Sequence, residues 1–120
     1  MERLVAAVVA KGMAIVARID HSAGAAEAGL VLRPTALLIF GHARNGTPLM
    51  QAVQTAGIDL PLKVLVWQDR DEAVWVGFNE PAWIAERHGL APDSHSAVQA
   101  MHAALAGIGH EAAGTAEKPD

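Results

Sequence analysis

Apolar side chains alternate with other residues in three stretches of the chain, and a fourth stretch is an unbroken apolar run. An alternation with a period of two is typical of a β-strand whose two faces have different surroundings. The unbroken run favours a central strand that is covered on both faces. Strands are therefore predicted over residues 13–20, 35–40, 60–67 and 74–79. The charged segment Asp69–Glu72 joins the last two strands into an antiparallel hairpin.

Helical periodicity occupies most of the remaining chain. The dipeptide Thr47-Pro48 is a strong helix start, because it places a hydroxyl cap before a residue that has no amide to satisfy. The last helix carries a single apolar stripe, formed by Val98, Met101, Leu105 and Ile108. Helices are predicted over residues 2–11, from the cap Ser22 to Gly29, over residues 48–56, from the cap Asn79 to Gly89, and from Asp93 or Ser94 to residue 108.

These elements predict an α+β fold, with a single, mostly antiparallel sheet of about four strands and helices packed on one side. One domain over residues 1–108 accounts for all of them. From Gly109 onward the chain is small and polar, so residues 109–120 are predicted to form a flexible C-terminal tail.

Five motifs follow one another along the chain: Ala17–His21, Leu37–Gly41, Gly46–Gln51, Gly57–Lys63 continuing to Val66-Trp67, and Asn79–Pro81 continuing to Ala85–Leu90. Together they resemble the domain-of-unknown-function 302 (DUF302) family over residues 2–108. The resemblance implies a compact α+β domain that tends to pair as a homodimer. It carries over no catalytic residue, because the biochemical role of the family is not established. Family members usually have an extended segment before the first helix, so we expect that first strand to be missing here and a sheet edge to be unpaired.

Composition narrows the class of protein further. Alanine makes up 25 of the apolar residues, so the larger side chains form only a light core. A net charge of −4 excludes a nucleic-acid binder driven by basic charge. Without cysteine there is no disulfide framework, no thiolate zinc site and no cysteine nucleophile. No apolar run approaches the ~20 residues of a membrane-spanning helix and no export-type cleavage site occurs, so a cytoplasmic location without a membrane partner is predicted.

The segment that follows the second strand is the best candidate for a binding site. Free amides at a helix N-terminus attract anions, and two side chains here add hydrogen-bond donors. The alternative is a turn with a good helix cap, and the Gly-Lys-Ser/Thr element of a phosphate-binding loop is absent. The candidate ligand-binding residues in this segment are Gly41, His42, Arg44, Asn45, Gly46 and Thr47.

Two tryptophans, Trp67 and Trp75, flank the hairpin loop and are also candidate ligand-binding residues. If the strands pair around the charged loop, the two rings should lie on one face, near each other. They could then stack a flat ligand, meet a partner subunit, or simply pack across the strands.

A metal site is only weakly indicated. Asp20 and His21 are adjacent at the end of a strand, and His88 ends a helix, where a protonated imidazole stabilises the helix dipole. No two histidines have the i, i+4 spacing of a helical metal site. Asp20, His21 and His88 therefore remain weak metal candidates.

The functional hypothesis is a small, soluble, homodimeric, non-catalytic module that binds a small molecule or an anion, or that serves assembly. The alternative is a small His-dependent metal-binding protein or enzyme that uses His21, His42 or His88. No catalytic constellation is recognised, and the sequence indicates no particular cofactor.

Overall fold

The computed structural model describes residues 1–113. Helices and strands alternate up to a β-hairpin, and further helices follow it. The strands are β1 (Ala14–Asp20), β2 (Thr35–Gly41), β3 (Leu62–Gln68) and β4 (Val74–Phe78). The α-helices are α1 (Glu2–Ala10), α2 (His21–Glu27), α3 (Ala43–Ala52), α4 (Pro81–His88) and α5 (His95–Ala113), and 3₁₀ helices cover Gln54–Asp59 and Pro92–Ser94.

The four strands form one sheet in the order β1-β2-β3-β4, and each strand pairs antiparallel with the next. A shift in register between Ile15 and Ala17 marks a β-bulge in β1. The predicted α+β class, with a single antiparallel sheet of four strands and helices packed on it, is confirmed. Among residues 1–113, no helix combines the length and the apolar character needed to cross a membrane.

The core lies between the inward face of the central strands and the helices α1 and α5. Every second side chain of a strand points to the same face. Leu38 and Phe40 of β2 and Val64 of β3 are completely buried on that face. The predicted apolar stripe of the last helix packs into the same core and is confirmed, with Val98, Met101, Leu105 and Ile108 all buried.

The helix after β2 begins earlier than predicted, so the predicted loop before Pro48 is wrong. The Nδ1 atom of His42 accepts a hydrogen bond from the backbone N–H of Arg44 at 3.0 Å, which caps a helix that starts at Ala43. A histidine therefore supplies the cap that the sequence prediction assigned to Thr47. Pro48 lies inside the helix beyond its first turn, so the carbonyl of Arg44 receives no i→i−4 hydrogen bond from it.

The last helix continues beyond the predicted end of the domain at residue 108. α5 extends to Ala113, and Ala112 packs against the core. At Gly109 this helix lies against β4, where a Cβ would make ordinary contacts with the ring of Phe78 at 3.7 Å and with Val76 at 4.0 Å. The rest of the predicted tail, residues 114–120, lies outside the described residues.

Candidate functional site

A cavity of about 530 Å³ lies at one end of the sheet. The register places the start of β1, the end of β2 and the start of β3 side by side, because Ala14 is opposite Gly41 and Phe40 is opposite Leu62. The first turns of α3 and one side of α5 complete the wall. The lining residues are Met13, Ala14, Val16, Gly41, His42, Ala43, Asn45, Gly46, Met50, Leu60, Pro61, Leu62 and Met101. Its volume falls within the range of about 300–1,000 Å³ that is usual for small-molecule sites.

Three methionines contribute to the wall of this cavity. Met13, Met50 and Met101 all line it, out of four methionines in the whole chain. Gly57 makes room for one of them, since a Cβ there would lie only 3.1 Å from the sulfur of Met50. Methionine is unbranched and polarizable, so such a wall adapts to ligands of different shapes. Sequence reasoning missed the methionine part of this wall, because the three methionines are far apart in the chain and follow no period.

The polar side chains of the wall, His42 and Asn45, both come from the start of α3. A backbone N–H can only donate, so the hydrogen bond from Arg44 to Nδ1 of His42 requires that this nitrogen carry no proton. The neutral ring then carries its proton on Nε2. His42 is thereby fixed as a hydrogen-bond donor toward its surroundings, while its Nδ1 is occupied by the helix cap.

The predicted residues of this segment are divided among three locations. Gly41, His42, Asn45 and Gly46 line the cavity. Arg44 lines a smaller adjoining cavity of about 160 Å³, which shares Asn45, Met13, Met101 and Leu62 with the first. Thr47 is exposed on α3 and lines neither.

The two predicted tryptophans do pair, but at the other end of the sheet. Trp67 and Trp75 are directly opposite in the β3–β4 register, and their stacked rings have centroids 6.5 Å apart. Gly77 leaves space for Trp67, because a Cβ there would approach its ring to 3.1 Å. The indole N–H of Trp75 donates to Asp69 at 2.7 Å, and this hydrogen bond is the main cause that lowers the pKa of the Asp69 carboxyl. The pair is separate from the cavity, which adjoins Leu62 at the start of β3.

The weak metal candidates are not brought together. Asp20 is the cap of α2. The pKa of its carboxyl is lowered mainly by the hydrogen bond from the Ser22 hydroxyl, and next by that from the Ala23 N–H. His21 is exposed at the start of α2, and His88 lies at the end of α4. Within residues 1–113, no group of three His, Cys, Asp or Glu residues is arranged to hold a metal ion.

A polar cluster that the sequence did not predict joins α4 to the 3₁₀ helix Gln54–Asp59. The Nε2 atom of His88 lies 2.6 Å from Asp59, and its Nδ1 lies 3.2 Å from the hydroxyl of Thr55. Arg87 donates to both oxygens of the same carboxylate at 3.0 and 3.2 Å. Because a carboxylate can only accept, the neutral ring carries its proton on Nε2 and accepts from Thr55. The cluster fixes the segment that leads directly into Leu60 of the cavity wall.

Comparison with known proteins identifies the family. The family model "Domain of unknown function DUF302" matches residues 1–108, so the chain belongs to the DUF302 family. The crystal structure of an uncharacterized conserved DUF302 protein from Bacillus stearothermophilus has the same fold, with a TM-score of 0.81 and 18% sequence identity. The match covers 92% of this chain and 85% of that one.

Two curated relatives are similar in sequence over a part of their length. The fluoride-specific ion channel FluC 1 of Brucella suis biovar 1 (strain 1330) is 50% identical over 101 residues, which is 84% of this chain and 40% of that protein. The protein of the same name from Brucella abortus biovar 1 (strain 9-941) is also 50% identical over 101 residues, or 37% of its length. The chain therefore spans about two fifths of the length of these relatives.

Proposed function

We propose that this chain is a cytoplasmic, homodimeric and non-catalytic module that binds a small, largely apolar molecule in the methionine-lined cavity. The cavity itself carries the proposal, because it has the volume of a ligand site and an adaptable wall. His42 and Asn45 offer polar contacts at one end only. The expected ligand accordingly has an apolar body and a polar group at one end.

Calorimetric titration with decanoate, whose chain is apolar and whose carboxylate is polar, tests this proposal. Gly46 faces the cavity, and a Cβ at this position would make ordinary contacts with Leu60 and Met50 at 3.7 and 3.9 Å. We expect the wild type and Gly46→Ala to bind decanoate. Gly46→Leu should weaken binding at least about ten-fold, or ~1.4 kcal/mol, because the longer side chain fills the site. Equal binding by all three proteins, or binding by none, would overturn the proposal.

The geometry gives less support to a metal protein or enzyme based on His21, His42 or His88. Both ring nitrogens of His88 already have partners, Asp59 and Thr55. The Nδ1 atom of His42 is engaged in the cap of α3. Coordination of a metal by either ring would therefore first require breaking contacts that hold α3 or α4.

A second function is favoured by the curated relatives. Their names describe fluoride-specific ion channels, and the match leaves the larger part of each relative outside this chain. We infer that this chain corresponds to a companion domain of such a channel and not to its pore. Deleting the matched segment from the Brucella suis relative and measuring fluoride efflux from liposomes tests the inference. Efflux should persist, and its complete loss in a correctly inserted protein would contradict the companion role.

A further inference from the structure

Strand β1 has a free edge and little cover on either face. Within residues 1–113 it pairs only with β2, and none of its seven residues is buried. Val16 is 61% exposed, and Ile15 and Ile19 are 38% exposed. The segment Leu30–Leu32, which precedes β2 at the Ile19 end of the sheet, is also apolar and exposed, and Val31 is fully exposed. Natural proteins usually blunt or cover such an edge, and contiguous apolar exposure marks an interaction surface.

The charges of β1 are complementary to those of a second, antiparallel copy. Opposite residues of an antiparallel pair share a face of the sheet. Arg18 is opposite the buried Leu38, so it lies on the face that the helices cover, and the alternation places Asp20 on that same face. A two-fold axis at Ile19 then sets each Arg18 opposite the partner's Asp20.

The other possible axes are unfavourable. An axis at Arg18 would set two guanidinium groups against each other, and an axis at Asp20 would set two carboxylates against each other. An axis at Ala17 would run the pairing across the bulge between Ile15 and Ala17. Among the axes at Ala17, Arg18, Ile19 and Asp20, the axis at Ile19 avoids both problems.

The carboxylate of Asp20 has one oxygen available for this contact. Its Oδ1 accepts from both the hydroxyl of Ser22 and the N–H of Ala23. Its Oδ2 has no hydrogen bond within the described residues. Arg18 contacts the exposed Glu2 through a single nitrogen at 3.2 Å, so other donors of its guanidinium remain.

We propose that two copies of this chain pair the ends of their β1 strands, residues 18–20, antiparallel about an axis at Ile19, which joins the two sheets into one of eight strands. The proposal rests on the homodimer of the proposed function and specifies its seam. The two Ile19 side chains meet at the axis, flanked by two Arg18–Asp20 ion pairs and by the apolar segments Leu30–Leu32. Since α2 follows directly after Asp20, antiparallel pairing directs the partner's α2 toward Val16, which lines the cavity. In such a dimer, the partner's α2 therefore lies near the ligand site.

Engineered disulfide formation in the full chain tests the axis directly, because the chain has no cysteine of its own. Residues opposite each other at the axis have Cα atoms about 4.5–5.5 Å apart, within the range that a disulfide can bridge. Ile19→Cys should therefore form a covalent dimer under mild oxidation. Val74→Cys, on the opposite edge strand β4, is the matched control. Cross-linking of Ile19→Cys should be at least about ten-fold faster, because pairing raises the effective concentration of its thiol.

Light scattering and a charge swap complete the test. We expect the wild type to be a dimer, Arg18→Glu to weaken the dimer, and the double variant Arg18→Glu with Asp20→Arg to recover it. A dimer whose Ile19→Cys form cross-links no faster than the Val74→Cys control would overturn the proposed seam but not the homodimer. A monomeric wild type would overturn both, and decanoate titration would still report on the cavity independently. Circular dichroism of each variant confirms that it is folded before it is compared.

Discussion

Strands β1 and β2 are neighbours of equal length in one sheet, yet their surroundings are opposite. β2 has a hydrogen-bonded partner on each side, and its Leu38 and Phe40 are completely buried under the helices. Among the described residues, β1 has a partner on one side only, and it has no buried residue. Ile15 and Phe40 are even opposite each other in the register. Hydrogen bonding therefore makes both strands part of the sheet, but only the strand that the helices cover contributes side chains to the core.

The largest expected difference between the two strands is in the cost of truncating these opposite residues. Phe40→Ala should lower the free energy of unfolding by about 3–5 kcal/mol, because it opens a cavity in a closely packed core. Ile15→Ala should cost less than about 1.5 kcal/mol, because Ile15 is already partly exposed. Urea unfolding of the two variants measures both values. Similar losses in the free energy of unfolding for the two substitutions would mean that the helices cover Ile15 of β1 to the same extent as Phe40 of β2.

A smaller loss in the free energy of unfolding is expected when the polar cluster around Asp59 is disrupted. Asp59→Asn removes the charged partner of both Arg87 and His88, and the side chains of His88 and Asp59 are only 7% and 11% exposed. We expect a loss of about 1–3 kcal/mol, because the donors of Arg87 and His88 are left without a charged partner. Glu80→Gln, which breaks the exposed pair with His102, is the control and should cost less than about 1 kcal/mol. Equal effects in urea unfolding would show that the buried cluster contributes no more than a surface pair.

The smallest effect concerns Asp20, at the end of β1, and appears only in acid. Its pKa is lowered in the folded state by the Ser22 hydroxyl and the Ala23 N–H. A lowered pKa means that the unfolded chain binds the proton more readily. The contribution of this carboxylate is therefore present above about pH 4 and is lost as the pH falls through the folded-state pKa. Asn is also a good cap, so Asp20→Asn should keep α2. The urea midpoint of this variant should fall less between pH 5 and pH 3 than that of the wild type. An equal fall in both proteins would contradict this assignment.

The sequence was informative where regular periodicity decides the structure. The alternation in β3 and β4 predicted the hairpin and, with it, the approach of Trp67 and Trp75. The start of α3 was not predictable, because a proline after a threonine usually begins a helix, while here the ring of His42 caps it five residues earlier.

The polar cluster and the methionine part of the cavity wall depend on tertiary contacts that leave no local signal. Asp59 and His88 are 29 residues apart and meet only because α4 packs on the 3₁₀ helix. The methionines of the cavity come from the residue before β1, from α3 and from α5. In the sequence, the methionines look like ordinary core residues, and the spacing of Asp59 and His88 gives no indication that the two side chains meet.

The methionine wall has a chemical consequence besides its adaptability. Peroxide converts a thioether into a sulfoxide, which is polar and chiral, and methionine sulfoxide reductases reverse the change. Met50 is only partly buried, whereas Met13 and Met101 are shielded in the core. Oxidants therefore reach the wall first at Met50, where one added oxygen would make the apolar interior of the cavity more polar without breaking a single strand pairing.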